Sequence, residues 1–386
     1  MSFARELDAW PPERITALLD RAGPAEAERA LGQEEPGPAD LAALLSPAAR
    51  PLLERMARRA SAITRQHFGR TVTLYAPLYV SNVCGADCAY CGFSTAAGKG
   101  LRRRTLGPDE IARECDALAA RGFRHVLLVS GDAPGQVTCG YLAEAVRIAR
   151  ARFPSVSIEV QALDGEEYRR LAGAGIEGVT LYMETYDRGV YAGVHRGGRK
   201  ADFEGRLEAL ERAGMAGVRR LNAGALLGLA PWRIDGFRLG LHVRWLQRAC
   251  WRSAVAVSFP RLRHVPEGFA IPCPVGDADL VQIMLALRLF LPEAGFTLST
   301  REPAALRDRL VPLGVTLLSA GSVTRPGGYA DAEEKVLAQF EVEDRRSPEE
   351  VARAIRRAGY DPVFKDFDRA FDAEPEIPGR ERCGSS

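Results

Sequence analysis

Three thiols fall on one short stretch, Cys84, Cys88 and Cys91, within the string Asn82-Val83-Cys84-Gly85-Ala86-Asp87-Cys88-Ala89-Tyr90-Cys91-Gly92-Phe93. Thiolates this close together suit a soft metal or an iron-sulfur cluster. A structural zinc ion needs a fourth ligand, and no other Cys or His stands at finger-like spacing from this group. Ordinary core filling is the remaining alternative, and three cysteines on so short a loop are unusual for it. On a cluster of four irons, three protein ligands leave one iron open.

An open iron is useful when a second molecule binds there. S-adenosylmethionine (SAM) can do so through its amino and carboxylate groups, which places its sulfonium where the cluster can reduce it and yields a 5′-deoxyadenosyl radical. The other cysteines are scattered singles at 115, 139, 250, 273 and 383, with no disulfide framework, and a reducing compartment fits that pattern. Cys115, Cys139, Cys250 and Cys273 read as structural. His195 and His242 have no ligand spacing with each other or with the cysteines and receive no catalytic role.

The elements that position the cysteine loop are legible in the texture of the chain. Its 386 residues are 46% hydrophobic and 26% charged, a globular balance. With 52 basic and 50 acidic residues the formal charge is +2, so no global field favours nucleic acid or an acidic membrane, and small-molecule chemistry is the better expectation. No apolar run reaches the roughly 18 residues of a membrane span, and residues 1–10, with Arg5, Glu6 and Asp8, lack the apolar centre of a secretory signal. A cytoplasmic location is expected. Residues 1–70 read as an N-terminal helical extension, with Leu44, Leu45, Leu52, Leu53, Met56 and Ile63 at helical spacing.

From about residue 72, short apolar runs alternate with charged segments of helical period. Strands are expected at 74–81, 125–130, 157–162, 178–184, 222–227, 254–259, 296–300 and 315–319. In the helix at 108–120, Ile111, Cys115 and Leu118 make the apolar face, while Asp109, Glu110, Arg113 and Glu114 face water. Apolar strands joined by helical crossovers argue for a parallel sheet covered on both faces. Eight such units predict an α/β fold of the (β/α)8 TIM-barrel type over 71–325, with an open doubly wound sheet as the alternative. Residues 326–372 are expected to form a C-terminal extension packed on the barrel, and 373–386 a flexible tail.

In a barrel of this kind the active site lies at the C-terminal ends of the strands. Glu159, Gln161 and Glu184 are polar residues within or ending apolar strands, so they should face a pocket or a buried network. Arg301, directly after the seventh strand, offers two parallel donors to a substrate carboxylate, unless it pairs with Glu302 or another rim acid. Arg261 and Arg263 are second candidates. Gly224 and Gly228 admit close approach of a ligand to the backbone or mark tight packing. Tyr90 and Phe93 are read as adenine contacts or as an apolar wall around the cluster.

The Cys-x3-Cys-x2-Cys spacing with an aromatic before the last cysteine resembles the radical SAM signature, and LYVSNVCGADCAYCGFS resembles its aromatic amino acid lyase branch. Within that branch the chain is similar to the 2-iminoacetate synthases, the tyrosine lyases of bacterial thiazole synthesis for thiamine. The matching strings are EVQAL (159–163), ETY (184–186), RKADFEGRLEALERAG (199–214), SFPRLR (258–263), LSTRE (298–302) and RPGGYAD (325–331), spread from residue 74 to the Asp366-Phe367-Asp368 segment. The resemblance implies cleavage of the Cα–Cβ bond of L-tyrosine to 2-iminoacetate and 4-cresol. It implies a 4Fe-4S cluster, SAM, an external donor of flavodoxin or ferredoxin type, and a thiazole synthase complex as partner.

The same resemblance sets Ser130, Gly131 and Asp132 where radical SAM enzymes often carry a Gly-Glu that receives the SAM amino group. It suggests Arg206 for the SAM carboxylate, against a solvated helix face, and Ser319 and Ser322 for the substrate amino group by analogy with related lyases. The related lyase of hydrogenase maturation carries a second, C-terminal cysteine cluster. Here only Cys383 lies in that region, so carbon monoxide and cyanide chemistry is not expected. Two other functions stay open on the sequence: a lyase of the same branch acting on tryptophan or another amino acid, and a non-catalytic iron-sulfur scaffold or sensor.

Overall fold

A computed structural model of the chain describes residues 2–96, 102–330 and 336–364. The strands are β1 (Thr71–Ser81), β2 (His125–Ser130), β3 (Ser155–Glu159), β4 (Gly178–Glu184), β5 (Arg220–Ala225), β6 (Ala254–Ser258), β7 (Gly295–Leu298) and β8 (Leu317–Ser319), all parallel. Because β1 pairs with β2 on one side and with β8 on the other, the sheet closes, which rules out the open alternative. The third, fifth and seventh strands start one or two residues earlier than the apolar runs, on Ser155, Arg220 and Gly295, and the eighth starts later, at Leu317. An apolar run marks which residues a sheet buries, whereas the hydrogen-bonded ladder also takes in flanking polar residues and glycine.

Alternation divides each strand between two environments. On β1, Leu74, Ala76, Leu78 and Val80 join the core beneath the helices, while Tyr75 and Tyr79 cluster with Phe93, Leu127, Val129 and Leu337. The barrel interior is more polar than the branched apolar filling usual for this architecture. His125, Ser157, Thr180, Asn222 and Thr297 line a small internal cavity with Tyr75 and Leu127. Asn222 Nδ2 donates to Ser258 Oγ at 2.9 Å, and His125 Nε2 lies 3.2 Å from Ser157 Oγ, so much of this buried polarity is hydrogen-bonded.

Among the described residues five α-helices precede the barrel: α1 (Phe3–Asp8), α2 (Pro12–Arg21), α3 (Pro24–Gly32), α4 (Pro38–Leu45) and α5 (Leu53–Phe68). Within and after the barrel follow α6 (Pro108–Ala120), α7 (Cys139–Arg150), α8 (Gly165–Ala174), α9 (Arg188–Val194), α10 (Phe203–Leu207), α11 (Ala209–Met215), α12 (Trp232–Ala249), α13 (Asp277–Phe290), α14 (Ala304–Leu310) and α15 (Pro348–Arg357). Leu41, Leu44 and Leu45 of α4 are fully buried where that helix packs on α12 and α13.

On α6 the apolar face is as expected, but Glu114 is not in water. It is buried, and its two carboxylate oxygens accept the N–H groups of Tyr329 and Ala330, both at 2.8 Å, which fastens the chain after β8 onto α6. A ninth strand, β9 (Asp361–Val363), pairs parallel with Thr71–Thr73 at the start of β1 and has no counterpart in the expected strands. Three residues are too few for a periodic signal. The tail at 373–386, Cys383 and Asp366-Phe367-Asp368 lie outside the described residues. No helix among the described residues is long and apolar enough to cross a membrane.

Candidate active site

The cysteine loop leaves β1 at Ser81 and is held at many points by backbone. Gly85 N–H donates to Asp132 O at 2.7 Å, Ala89 N–H to Val194 O at 2.9 Å, and Arg196 N–H to Asp87 O at 2.9 Å. Two side chains that the sequence did not single out brace it further. Arg103 donates to the carbonyls of Asn82, Phe93 and Ser94 at 3.0, 2.9 and 2.7 Å. Asn82, fully buried, donates to Leu337 O at 2.9 Å and accepts the Arg104 N–H at 2.6 Å. The loop is therefore clamped between the segments after β2, after α9 and after β8.

Within it, Ala86 N–H and Phe93 N–H point at the sulfurs of Cys84 and Cys91, each at 3.4 Å. Hydrogen bonds to sulfur of this kind tune iron-sulfur centres. Burial pushes the Cys88 thiol up to about 12 and raises Cys91 as well, so these groups do not ionise as free nucleophiles; a bound metal deprotonates them outright. Among the described residues no three His, Cys, Asp or Glu side chains converge on a single ion. In a cluster each thiolate would take its own iron.

Above the loop opens a cavity of about 810 Å³. Cys88, Tyr90 and Cys91 line it on one side, Glu159, Tyr182, Glu184 and Lys200 on another, and Arg301, Gln339 and Phe340 face them. It has the size and the mixed lining of a small-molecule site, at the C-terminal ends of the strands.

Glu184, the last residue of β4, sits at a register shift in the β4–β5 pairing with φ +70°, a left-handed backbone that a glutamate seldom adopts. Its carboxylate accepts from Lys200 Nζ at 2.6 Å and from Arg206 at 3.3 Å. Burial works to raise its pKa, but the charges of Lys200 and Arg206 outweigh it and hold Glu184 below the usual carboxylate value. Arg206, also bonded to Tyr182 O at 2.7 Å, is thus part of a buried ion network and not a solvated helix face. Lys200 supplies the shortest contact of that network, and its only sequence signal was its place in the RKADFEGRLEALERAG string.

Arg301 follows β7 and enters the cavity with its guanidinium stacked 3.7 Å from the Phe340 ring centre. It makes no ion pair among the described residues, and its buried Nε has no partner there. The rim acid that might have claimed it, Glu302, is taken by Arg261 at 2.9 Å and by Arg263 at 3.3 Å. Arg261 also donates to Val275 O at 3.0 Å and Asp277 at 2.8 Å. Its donors are spent on structure, which removes it as a substrate ligand.

Ser319, the last residue of β8, and Ser322 beyond it do not line the cavity either. Ser319 Oγ accepts the Thr300 N–H at 3.0 Å. The chain then turns at Gly321, φ +55°, and carries Ser322 into a different cavity, beside Arg121 and Arg345.

The remaining expected residues divide in the same way. Tyr90 lines the cavity with its hydroxyl 2.8 Å from His195 Nε2, which gives that histidine a positioning contact. Phe93 is buried edge-to-face on Tyr79 at 5.9 Å and is wall, not lining. Gln161 donates to Val137 O at 2.9 Å and anchors the turn after β2. A Cβ on Gly224 would lie 2.7 Å from the Tyr182 ring, and one on Gly228 3.2 Å from Leu262, so close packing accounts for both.

Ser130, Gly131 and Asp132 lie against the cysteine loop. Ser130 Oγ and Asp132 Oδ1 are buried without a partner among the described residues, orphans suited to a polar ligand such as the amino group of SAM. A Cβ on Gly131 would fall 2.3 Å from Val83 O and 2.9 Å from Cys84 Cβ. Gly131→Ala is therefore expected to displace Cys84 and lower the iron bound per chain after anaerobic reconstitution. Full iron content in that variant would contradict this account of the loop.

Comparison with known proteins agrees with this geometry. Residues 78–231 match the radical SAM superfamily and residues 258–361 the biotin and thiamin synthesis associated domain. The chain is 45% identical to the 2-iminoacetate synthase of Salmonella typhimurium over 345 residues, 89% of this chain and 91% of that protein. It is 43% identical to the Escherichia coli 2-iminoacetate synthase, covering 94% and 95% of the two chains. The solved FeFe-hydrogenase maturase HydG from Carboxydothermus hydrogenoformans superposes with a TM-score of 0.84 at 30% identity, over 91% of this chain and 83% of that one. With near full-length similarity to the synthases and a three-cysteine loop at the mouth of a closed (β/α)8 barrel, the chain belongs to the 2-iminoacetate synthase family of radical SAM lyases.

Proposed function

We propose that the cavity binds L-tyrosine beside SAM and that the chain cleaves the Cα–Cβ bond of tyrosine, giving 2-iminoacetate and 4-cresol. When bound, the 4Fe-4S cluster and SAM supply the 5′-deoxyadenosyl radical that starts the reaction. Cys84, Cys88 and Cys91 would each hold one iron of that cluster. Ser130 and Asp132 offer the orphaned polar atoms on the SAM side, with Gly131 between them. Lys200 and Arg206 both pair with Glu184, whose single negative charge offsets one of their two positive charges.

The observation that carries this reading is Arg301: a guanidinium in the cavity with no acidic partner among the described residues, its plane fixed on Phe340. A planar fork of donors matches the two oxygens of an amino acid carboxylate. The products place the chain in thiazole synthesis, with the thiazole synthase complex as acceptor of 2-iminoacetate and a flavodoxin or ferredoxin as electron donor. The test offers L-tyrosine and L-tryptophan in parallel to the anaerobically reconstituted protein with SAM and reductant. 4-Cresol from tyrosine, with no side-chain fragment from tryptophan, is expected; a fragment from tryptophan alone overturns the tyrosine assignment.

A further inference from the structure

We propose that Glu159 is a catalytic base, accepting a proton from the ammonium group of the amino acid substrate before the hydrogen atom is removed. The inference rests on the tyrosine lyase reading and deepens it.

Two carboxylates end adjacent strands in the cavity, and they differ in what surrounds them. Glu184 is fixed by Lys200 and Arg206. Glu159, at the end of β3, lines the same cavity as Cys88, Cys91 and Arg301, and its carboxylate has no hydrogen-bond partner among the described residues. Charged and titratable groups from the elements around it act on it: Tyr75 and Tyr79 from β1, Tyr182 and Glu184 from β4, Lys200 after α9, Arg206 on α10, and Arg301 after β7. The three phenols are themselves pushed upward by burial and stay neutral. Burial first, and then the charge of Glu184, raises Glu159 to about 7 against the opposing pull of Arg301, Lys200 and Arg206.

An amino acid enters as a zwitterion. With its carboxylate on Arg301, its ammonium lies only two bonds further along the molecule, in the part of the cavity where Glu159 is the carboxylate without a partner. An ammonium nitrogen has no lone pair to stabilise a radical centre, so it must lose a proton first. In that step one N–H bond breaks heterolytically, its electron pair stays on nitrogen, and an O–H bond forms on Glu159. The positive and negative charges cancel, and no oxidant or reductant takes part. The neutral amine then gives up its hydrogen atom. A carboxyl raised toward 7 holds the proton better than an ordinary one, in line with the matching of catalytic groups to working pH.

The experiment follows 4-cresol and 5′-deoxyadenosine from L-tyrosine across pH in wild type, Glu159→Gln and Glu159→Asp, each reconstituted to equal iron. In wild type the yield of 4-cresol per 5′-deoxyadenosine should rise about tenfold per pH unit below 7 and level off above it. In Glu159→Gln it should fall on the order of 10²-fold at pH 7, lose that limb, and recover toward alkaline pH as the free amine forms in solution; Glu159→Asp should keep a limb. Independently of turnover, the infrared difference between wild type and Glu159→Gln should show a carboxyl titrating near 7. A Glu159→Gln profile parallel to wild type, or a carboxyl titrating near 4, overturns the proposal alone. Absence of 4-cresol from wild type overturns the tyrosine reading and the proposal with it.

Discussion

Arg301→Met is expected to lower kcat/KM for L-tyrosine by about 10²- to 10³-fold, equivalent to about 3–4 kcal/mol for the loss of a charge-assisted bidentate contact in a partly dehydrated site. Most of the change should appear in KM, because the carboxylate is remote from the bond that breaks and its contact is made in the ground state as well as the transition state. Arg301→Lys should restore only part of the loss, since a single ammonium cannot present two parallel donors and does not stack on Phe340 as a planar group does. Iron content should be unchanged in both variants, because no contact of Arg301 with the cysteine loop appears among the described residues. Steady-state kinetics with 4-cresol as readout decides the matter. A wild-type KM in Arg301→Met would return the substrate carboxylate to some other cation.

The second large effect concerns stability. Glu184→Gln leaves Lys200 and Arg206, with side chains 16% and 10% exposed, without their shared anion. Breaking a buried pair from one side costs about 3–5 kcal/mol, more than its formation contributes, because an uncompensated charge stays behind. Denaturant unfolding under anaerobic conditions should show this as a lower midpoint at an unchanged slope.

The pH dependence has a defined sign. Glu184 titrates below its unfolded value when folded, so its contribution is present above the ordinary carboxylate range and is lost as pH falls through the depressed folded value. For Lys200 burial works downward, but the Glu184 charge wins and raises it. Its contribution is present below the ordinary lysine value and is lost as pH rises through the raised folded one. The difference between wild type and Glu184→Gln should therefore form a plateau between those limits and shrink outside both. A variant as stable as wild type across the plateau would show that the network is solvated enough to be indifferent.

The cysteine loop and the strand order were legible in the sequence because both are local. Three thiols on one stretch need no folding to be seen, and a run such as His125–Ser130 announces a buried strand by itself. Arg301 was legible for a related reason, its place directly after the seventh strand. Arg261 was not separable from it, since both are arginines after strands. Only the fold reveals that Glu302 is shared by Arg261 and Arg263 and so leaves Arg301 without it.

Lys200, Asn82 and Arg103 escaped because their partners are distant in sequence or are backbone carbonyls, which leave no trace in residue type. Glu114 reads as a solvated charge by helical period, yet its partners are two N–H groups more than two hundred residues away. Ser322 was placed by analogy, and one left-handed glycine redirects it. Periodicity reports which face is buried. It does not report what a buried polar group meets.

The most direct test of the central claim compares wild type with Cys88→Ala after anaerobic reconstitution, measuring iron, 5′-deoxyadenosine and 4-cresol in the same samples with SAM, reductant and L-tyrosine. Wild type should carry a four-iron cluster and form both products, and Cys88→Ala should lose cluster and products together. Undiminished 4-cresol from Cys88→Ala, or a wild type that holds its cluster and cleaves SAM but leaves tyrosine intact, would contradict the account.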